Sequence, residues 1–156
     1  IIENGGGHNM AAGFTIKKNN INLLDDFIQK DYSNKNSNIE NTNTYDREIS
    51  SSAINSEFIK ELNKLEPFGN FNDLPLFLIK NVKIIKTNII KQKHISAIIK
   101  PNLGSSIKTI CFNCLNNTIG KYLLTYKKNI NIIAQIHEND WNNKKTIQLN
   151  IKDLIL

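Results

Sequence analysis

The sequence predicts a short α+β segment followed by an all-β domain, and three observations carry that reading. From Pro75 onward the chain is a series of strand-length apolar runs, rich in Ile and separated by Asn, Gly and Lys turns. Its first third instead holds a glycine cluster, one strand-like stretch and an apolar pattern of helical period. Between them, residues 33–52 are rich in Ser, Asn and Thr and nearly free of apolar side chains, the composition of a linker or a loosely packed crossing segment.

Each element has its own justification. Gly5, Gly6 and Gly7 predict a turn, Met10-Ala11-Ala12-Gly13 a small-residue segment, and Phe14-Thr15-Ile16 a strand. Over 21–32, Ile21, Leu24 and Ile28 share one helical face with Leu23 and Phe27 beside it. Asp25 and Asp26 are expected in its early turns, where the helix dipole favours acids. Over 55–65, Phe58, Ile59, Leu62 and Leu65 keep the 3–4 spacing. Asn55 or Ser56 can cap that helix, and Glu66 ends it because Pro67 follows.

Strands are then expected at 76–86, 94–100, 107–113, 130–138 and 145–153. In the last, Ile147, Leu149 and Ile151 alternate with polar residues, so one face is wet. A short helix near 115–126 carries Leu115, Ile119, Tyr122 and Leu123. Five strands with a helix between the third and fourth is the order of the OB-fold, a partly open barrel. Such barrels bind oligonucleotides on the face of strands 2 and 3 and with the loops joining strands 1–2 and 4–5. Here the first loop is expected to hold Lys86, Lys91 and Lys93, and the second Asp140, Trp141, Lys144 and Lys145. Trp141, the one Trp of the chain, then sits at a loop tip. It either stacks a base between lysines that track phosphates, or plugs the barrel mouth above a solvated rim.

Composition narrows the function classes. At 40% hydrophobic and 22% charged residues, with a mean hydropathy of −0.35, the chain can build a core, which excludes wholesale disorder. No apolar run approaches the ~18 residues of a membrane span. There is no initiator Met and no signal-peptide pattern, so a piece of a longer protein is expected. Two cysteines, Cys111 and Cys114, exclude a disulfide scaffold and point to a reducing cytoplasm. Their C-F-N-C spacing lacks a second pair of zinc ligands; with His94 and His137 the nearest histidines, a strand end with one buried thiol is expected.

The chain has 27 Ile, 26 Asn and 19 Lys but one Arg, a bias of AT-rich codons that discounts charge as an argument by itself. The asymmetry of charge is more informative. Residues 1–76 carry 7 basic and 11 acidic side chains, whereas residues 77–156 carry 13 basic and 3 acidic. A net +10 over the all-β half favours a polyanion, and codon drift does not explain why acids are missing from one half.

The stretch Gly5-Gly6-Gly7-His8-Asn9-Met10-Ala11-Ala12-Gly13-Phe14-Thr15 carries the chemistry. Glycines let backbone approach a ligand and offer N–H groups to a phosphate. A histidine beside them can donate to a phosphate oxygen. Taken alone, such a string is also a flexible glycine turn with an incidental histidine.

The whole string closely resembles the GGGH motif of the DHHA1 domain in DHH-family phosphoesterases, in the form found in the RecJ branch. Leu65-Glu66-Pro67-Phe68-Gly69-Asn70-Phe71-Asn72-Asp73-Leu74-Pro75-Leu76-Phe77 resembles that branch's L-x-P-F-G-x-G-N-P-x-P-x-F junction, with Phe71 for a Gly and Asp73 for a Pro. Residues 139–149, from Asn139 to Leu149, resemble its hairpin near the end of the OB domain, with Asn143 for a Gly. The motifs follow in family order over nearly the whole chain. Lysines stand where the family has arginines, which weakens bidentate phosphate grip.

The resemblance implies the C-terminal portion of a single-stranded-DNA-specific 5′→3′ exonuclease of DNA repair and recombination. The end of a DHHA1 domain is expected at 1–35, a linker and connecting helix at 36–69, and a five-stranded OB-fold barrel at 70–156. Gly5, Gly6, Gly7 and His8 would bind the substrate phosphate, with His8 the catalytic donor. Lys91, Lys93, Trp141, Lys144 and Lys145 would bind the strand. No D-H-H or D-x-D occurs in the chain, so Mn²⁺ or Mg²⁺ would be held by an upstream DHH domain of the same protein, and this portion would hold no metal and be inactive by itself. Expected partners are single-stranded DNA and that upstream domain, with no membrane. Two alternatives stand beside this: a DHH/DHHA1 phosphoesterase acting on short oligonucleotides or cyclic dinucleotides, and a non-enzymatic single-strand-binding module.

Overall fold

The computed structural model describes residues 1–8, 10–35, 44–126, 128–141 and 144–156, with the backbone alone at 34, 35, 140, 141 and 144. The chain divides into two compact units, Ile1–Thr42 and Asn43–Leu156.

In the first unit, β1 (Ile2–His8) pairs antiparallel with β2 (Ala11–Ile16), and a 3-10 turn over Lys18–Asn20 leads into α1 (Ile21–Lys35). The glycines do not form the expected turn. Gly5, Gly6 and Gly7 lie in β1 opposite Phe14, Gly13 and Ala12, and the reversal follows His8. The cause is small residues on both strands, which let the two backbones approach. A Cβ on Gly7 would lie 2.5 Å from the Ala11 carbonyl oxygen and 2.7 Å from the Ala12 Cα. Asp25 and Asp26 fall beyond the first turn of α1, so they gain less from the dipole than expected. Ile21, Leu23, Phe27 and Ile28 of α1 are exposed.

The second unit opens with β3 (Arg47–Glu48), a 3-10 turn over Ser51–Ala53, and α2 (Ser56–Asn63). Asn55 is the cap of α2, its side chain accepting from the Phe58 N–H at 2.9 Å. Barrel strands follow: β4 (Phe77–Ile90), β5 (His94–Pro101), β6 (Ile107–Cys111), β7 (Ile130–Trp141) and β8 (Lys144–Ile155), with α3 (Thr118–Thr125) between β6 and β7. The sheet runs β3-β4-β5-β6-β8-β7, and a β4–β7 pairing closes it. Five strands closed with β6 and β8 parallel make the expected OB-fold barrel.

Closure depends on β4. Residues 77–82 of it pair with β7 and residues 82–90 with β5, and Val82 is partnered on both sides. The change of neighbour comes at Asn81, whose backbone is left-handed (φ 55°) and whose N–H donates to the Asn131 Oδ1 at 3.0 Å. Inward residues then meet from β4, β5, β7 and β8: Ile79, Val82, Ile95, Ile99, Ile132 and Leu149 are fully buried. Each such side chain contributes about 1.5–3 kcal/mol of burial. Thr109, the polar residue of this core, donates to the Ala97 carbonyl at 3.0 Å. α2 adds Ile59 and Leu62, and its Phe58 ring meets Phe77 edge-on at 5.5 Å. Gly120 in α3 packs so tightly that a Cβ there would overlap the Cys114 carbonyl oxygen.

Several expectations need correction. Residues 44–54 are not a loose linker: β3 pairs parallel to the start of β4, and Ile49 and Ile54 pack on the core. Residues 36–43 of the expected linker lie outside the described residues. β4 runs on to Ile90, because nothing between Lys86 and Ile90 breaks a strand, so Lys86 is in the ladder rather than a loop. The second expected loop is likewise mostly strand: Asp140 pairs with Lys145 and Trp141 with Lys144. The turn between them, which includes Asn143, lies outside the described residues.

The junction between α2 and β4 is a tight turn. Gly69 and Asn72 exchange N–H to carbonyl bonds at 2.9 and 3.0 Å, and the Asn72 amide donates to the Leu65 and Pro67 carbonyls, both at 2.9 Å. Phe71 takes φ 64° there, fully exposed, at the position where the motif has glycine.

Two substitutions test this backbone accounting with opposite signs. Phe71→Gly should raise stability by up to about 1 kcal/mol, since a left-handed L-residue costs about 1–2 kcal/mol and glycine returns part of that as chain entropy. Asn81→Val should lower it by at least about 1–2 kcal/mol. Urea unfolding of both variants decides; equal effects would mean that left-handed backbone is not what distinguishes the two sites.

Candidate nucleic-acid interface

The two units carry separate candidate sites. In the first, Gly5, Gly6 and Gly13 line an open groove of about 420 Å³ with Asn4, Phe14 and Thr15. A Cβ on Gly6 or Gly13 would meet nothing within 4 Å, so that face of the hairpin is bare backbone. Because the glycines lie in a strand, successive N–H groups point to opposite edges and do not converge as in a turn. His8 lies at the hairpin end. Its Nδ1 accepts from the Met10 N–H at 3.2 Å, which leaves the proton of the neutral ring on Nε2 as an outward donor.

In the second unit the expected strand-binding residues form two groups. Lys91 and Lys93 lie in the β4–β5 turn, closed by the Lys93 N–H to the Ile90 carbonyl at 3.2 Å, with Lys91 and Gln92 both left-handed. Trp141, Lys144 and Lys145 are at the ends of β7 and β8; the Trp141 and Lys144 side chains lie outside the described residues. Lys145 Nζ is 2.7 Å from the Glu138 carboxylate, so its charge is partly offset.

Strand register keeps these groups apart. Ile95 pairs with Cys111, so the β4–β5 turn lies beyond the end of β6. Lys108 pairs with Gln148 in the parallel β6–β8 ladder, so the β7–β8 tip lies beyond the start of β6. The outer face of β5, β6 and β8 runs between them. By alternation it carries His94, Ser96 and Ile98 of β5, Lys108 and Ile110 of β6, and Gln148, Asn150 and Lys152 of β8.

At one end of that face stands Phe112, which is 56% exposed. The His94 ring meets it edge-on at 5.3 Å, and His94 is itself held by the Asn113 N–H donating to its Nδ1 at 2.9 Å. Sequence reasoning passed over Phe112 because it sits inside C-F-N-C, where attention goes to the thiols. The signal that could have found it is period-2 alternation, which sets Lys108, Ile110 and Phe112 opposite Ile107, Thr109 and Cys111.

Both thiols, not one, are buried, and the Cys114 thiol donates to the Cys111 carbonyl at 3.3 Å. Burial, with the Cys114 contact second, pushes the Cys111 thiol far up, which makes it a poor nucleophile. Among the described residues no three His, Cys, Asp or Glu side chains gather as a metal would need, so this donor set does not fit a divalent ion. No helix of the described residues is long and apolar enough to cross a membrane.

His137 lies in β7 beside Gln148 of β8. Burial, and then the charge of Lys152, hold its imidazole below the ordinary histidine value. Its midpoint in an NMR titration should therefore fall below the usual ~6.5, and Lys152→Met should bring it part of the way back. Its share of stability is complete above about 6.5 and is lost as pH falls from there to the folded midpoint, a loss that His137→Gln should abolish. A midpoint at the ordinary value would mean that the ring is fully solvated.

Comparison with known proteins agrees with the barrel. The family model described as the RecJ OB domain matches residues 45–153. The single-stranded-DNA-specific exonuclease RecJ of Bacillus subtilis (strain 168) is 30% identical over 164 aligned positions, covering 98% of this chain and 20% of that protein. The chain therefore spans about a fifth of the length of the curated relative it matches. Crystal structures of RecJ from Thermus thermophilus in complex with Mn²⁺ and with Mg²⁺ each superpose with a TM-score of 0.66 over 99% of this chain, at 18% and 17% identity, covering 22% and 23% of those chains. At that identity the likeness speaks for the fold.

Proposed function

The chain belongs to the RecJ OB domain family, and from that premise we propose that it is a portion of a cytoplasmic RecJ-like 5′→3′ single-stranded-DNA exonuclease that acts in repair and recombination. In this reading its barrel holds the single strand and its glycine hairpin meets the phosphate under attack. The observation that carries the reading is the match of the family model to a barrel with a net +10 charge over 77–156. Mn²⁺ or Mg²⁺ is assigned to an upstream DHH domain, which would supply the activated water when metal is bound. What this chain's residues contribute is binding and charge stabilisation. Lys91 and Lys93 at one end of the outer face, and Lys144, Lys145 and Trp141 at the other, guide the strand across it. His8, its Nδ1 occupied by the Met10 N–H, offers Nε2–H to a phosphate oxygen.

His8→Ala in the full-length enzyme should lower kcat by about 10²–10³-fold if the ring acts as an oxyanion-type donor. Mn²⁺ content should hold, and melting temperature should change little, since the turn bond that is lost is exposed. Normal turnover would remove His8 from the site, and lost metal would make it a ligand.

The 156-residue chain by itself should bind single-stranded DNA in a salt-sensitive way, with log K falling against log[salt] at a slope of roughly −0.7 per phosphate neutralised. It should not shorten 5′-labelled single strands with Mn²⁺ present. Salt-independent binding would speak against a phosphate-tracking face, and metal-dependent cleavage that survives repurification would place a metal centre within these residues.

A further inference from the structure

Between the two basic ends, the outer face of the barrel holds a groove of about 240 Å³. Ile110 is its floor: it is only 8% exposed yet lies outside the inner core, so it is buried from the outward side. Phe112 stands at one wall, and His137, Asn139, Gln148 and Asn150 contribute polar groups. We propose that this groove seats one nucleobase of the bound strand, stacked against Phe112, with its edge read by the Gln148 and Asn150 amides. The proposal rests on the single-strand-binding reading and adds to it a subsite for base contact.

Three properties select a base over other parts of a nucleic acid. The groove is below the roughly 300–1,000 Å³ of ordinary small-molecule pockets, which suits one planar ring system. The Gln148 and Asn150 side chains are half-buried and make no hydrogen bond to the protein among the described residues. Half-buried amides without partners are free to pair, and each offers a donor and an acceptor, as base edges do.

The third property is charge. Glu138 also lines the groove, and its carboxylate is paired with Lys145 at 2.7 Å, so among the described residues the wall presents no free cation to a phosphate there. The cations stand outside it. Lys108 and Lys152 share the outward faces of β6 and β8 with the groove, where they can hold the backbone while the base turns in. His137, whose imidazole is held below the ordinary value by partial burial and then by Lys152, also lines the groove as a hydrogen-bonding group. The platform is pre-set: His94 braces the Phe112 ring edge-on and is fixed by the Asn113 N–H.

The test is fluorescence anisotropy of the 156-residue chain with a labelled single-stranded oligonucleotide and with an abasic strand of equal length. Phe112→Leu keeps an apolar side chain and removes the ring. It should weaken binding of the normal strand about 5- to 100-fold, leave the abasic strand almost unaffected, and leave the salt slope unchanged. Phe112→Trp should bind at least as well as the parent. The double variant Gln148→Ala/Asn150→Ala provides an arm independent of Phe112 and should also weaken the normal strand selectively. Equal weakening on both strands would mean contact with sugar and phosphate, and would overturn the proposal. Unchanged binding by all variants, with the parent still binding, would overturn it and leave the single-strand reading intact. A parent that binds neither strand would overturn both.

Discussion

The barrel depends on one bend. β4 serves three neighbours, β3 and β7 with its first residues and β5 with the rest, and the barrel closes only if it changes direction between them. Asn81 supplies the change of direction with a left-handed backbone, and Asn131 of β7 accepts its N–H. Asparagine tolerates this conformation better than the Ile, Val and Lys around it, so the bend falls where the sequence makes it least costly. Once β4 turns, β5 and β7 are brought to opposite edges of a single strand. β6 and β8 can then meet as a parallel pair across the remaining gap.

Closure also sorts the side chains. A chain with 27 isoleucines has more apolar residues than one small barrel can bury. Those at inward positions, such as Ile79, Ile95 and Ile99, vanish from solvent, while Ile85 and Ile89 of β4 remain more than half exposed. The outward positions of β5, β6 and β8 are different in kind. They alternate lysine, amide and aromatic side chains around the buried Ile110, which gives a surface with flat apolar area, unpaired amides and flanking charge. The buried core and the proposed binding surface thus lie on the two faces of the same strands, and period-2 alternation is the physical basis of that division.

The glycine hairpin obeys a different constraint. Its backbones approach so closely that Gly7 has no room for a Cβ, whereas Gly6 and Gly13 face open space. The first is glycine for packing; the others leave bare backbone on an accessible face. A strand also presents fewer convergent N–H groups than a glycine turn would, so in the proposed reading more of the contact with a phosphate falls to His8. In the second unit, register sends the Lys91 and Lys93 turn and the Lys144 and Lys145 end of β8 to opposite ends of β6, so the charge frames the outer face from both ends.

The sequence by itself determined the series of strands, the helices over 56–63 and 118–125, and the barrel order, because these are written in local periodicity and capping residues such as Asn55. It also determined the family, through three motifs whose residues are contiguous. Tertiary structure alone decided the rest. The bend at Asn81 is defined by a partner 50 residues away, and the short β3 is a strand only because β4 lies beside it. Phe112 becomes a candidate site residue only after pairing of β5 with β6 shows which face it occupies and brings His94 against it. A run such as Ile107–Phe112 states its alternation but not which of its two faces turns outward, since that depends on strands distant in sequence that close the barrel around it.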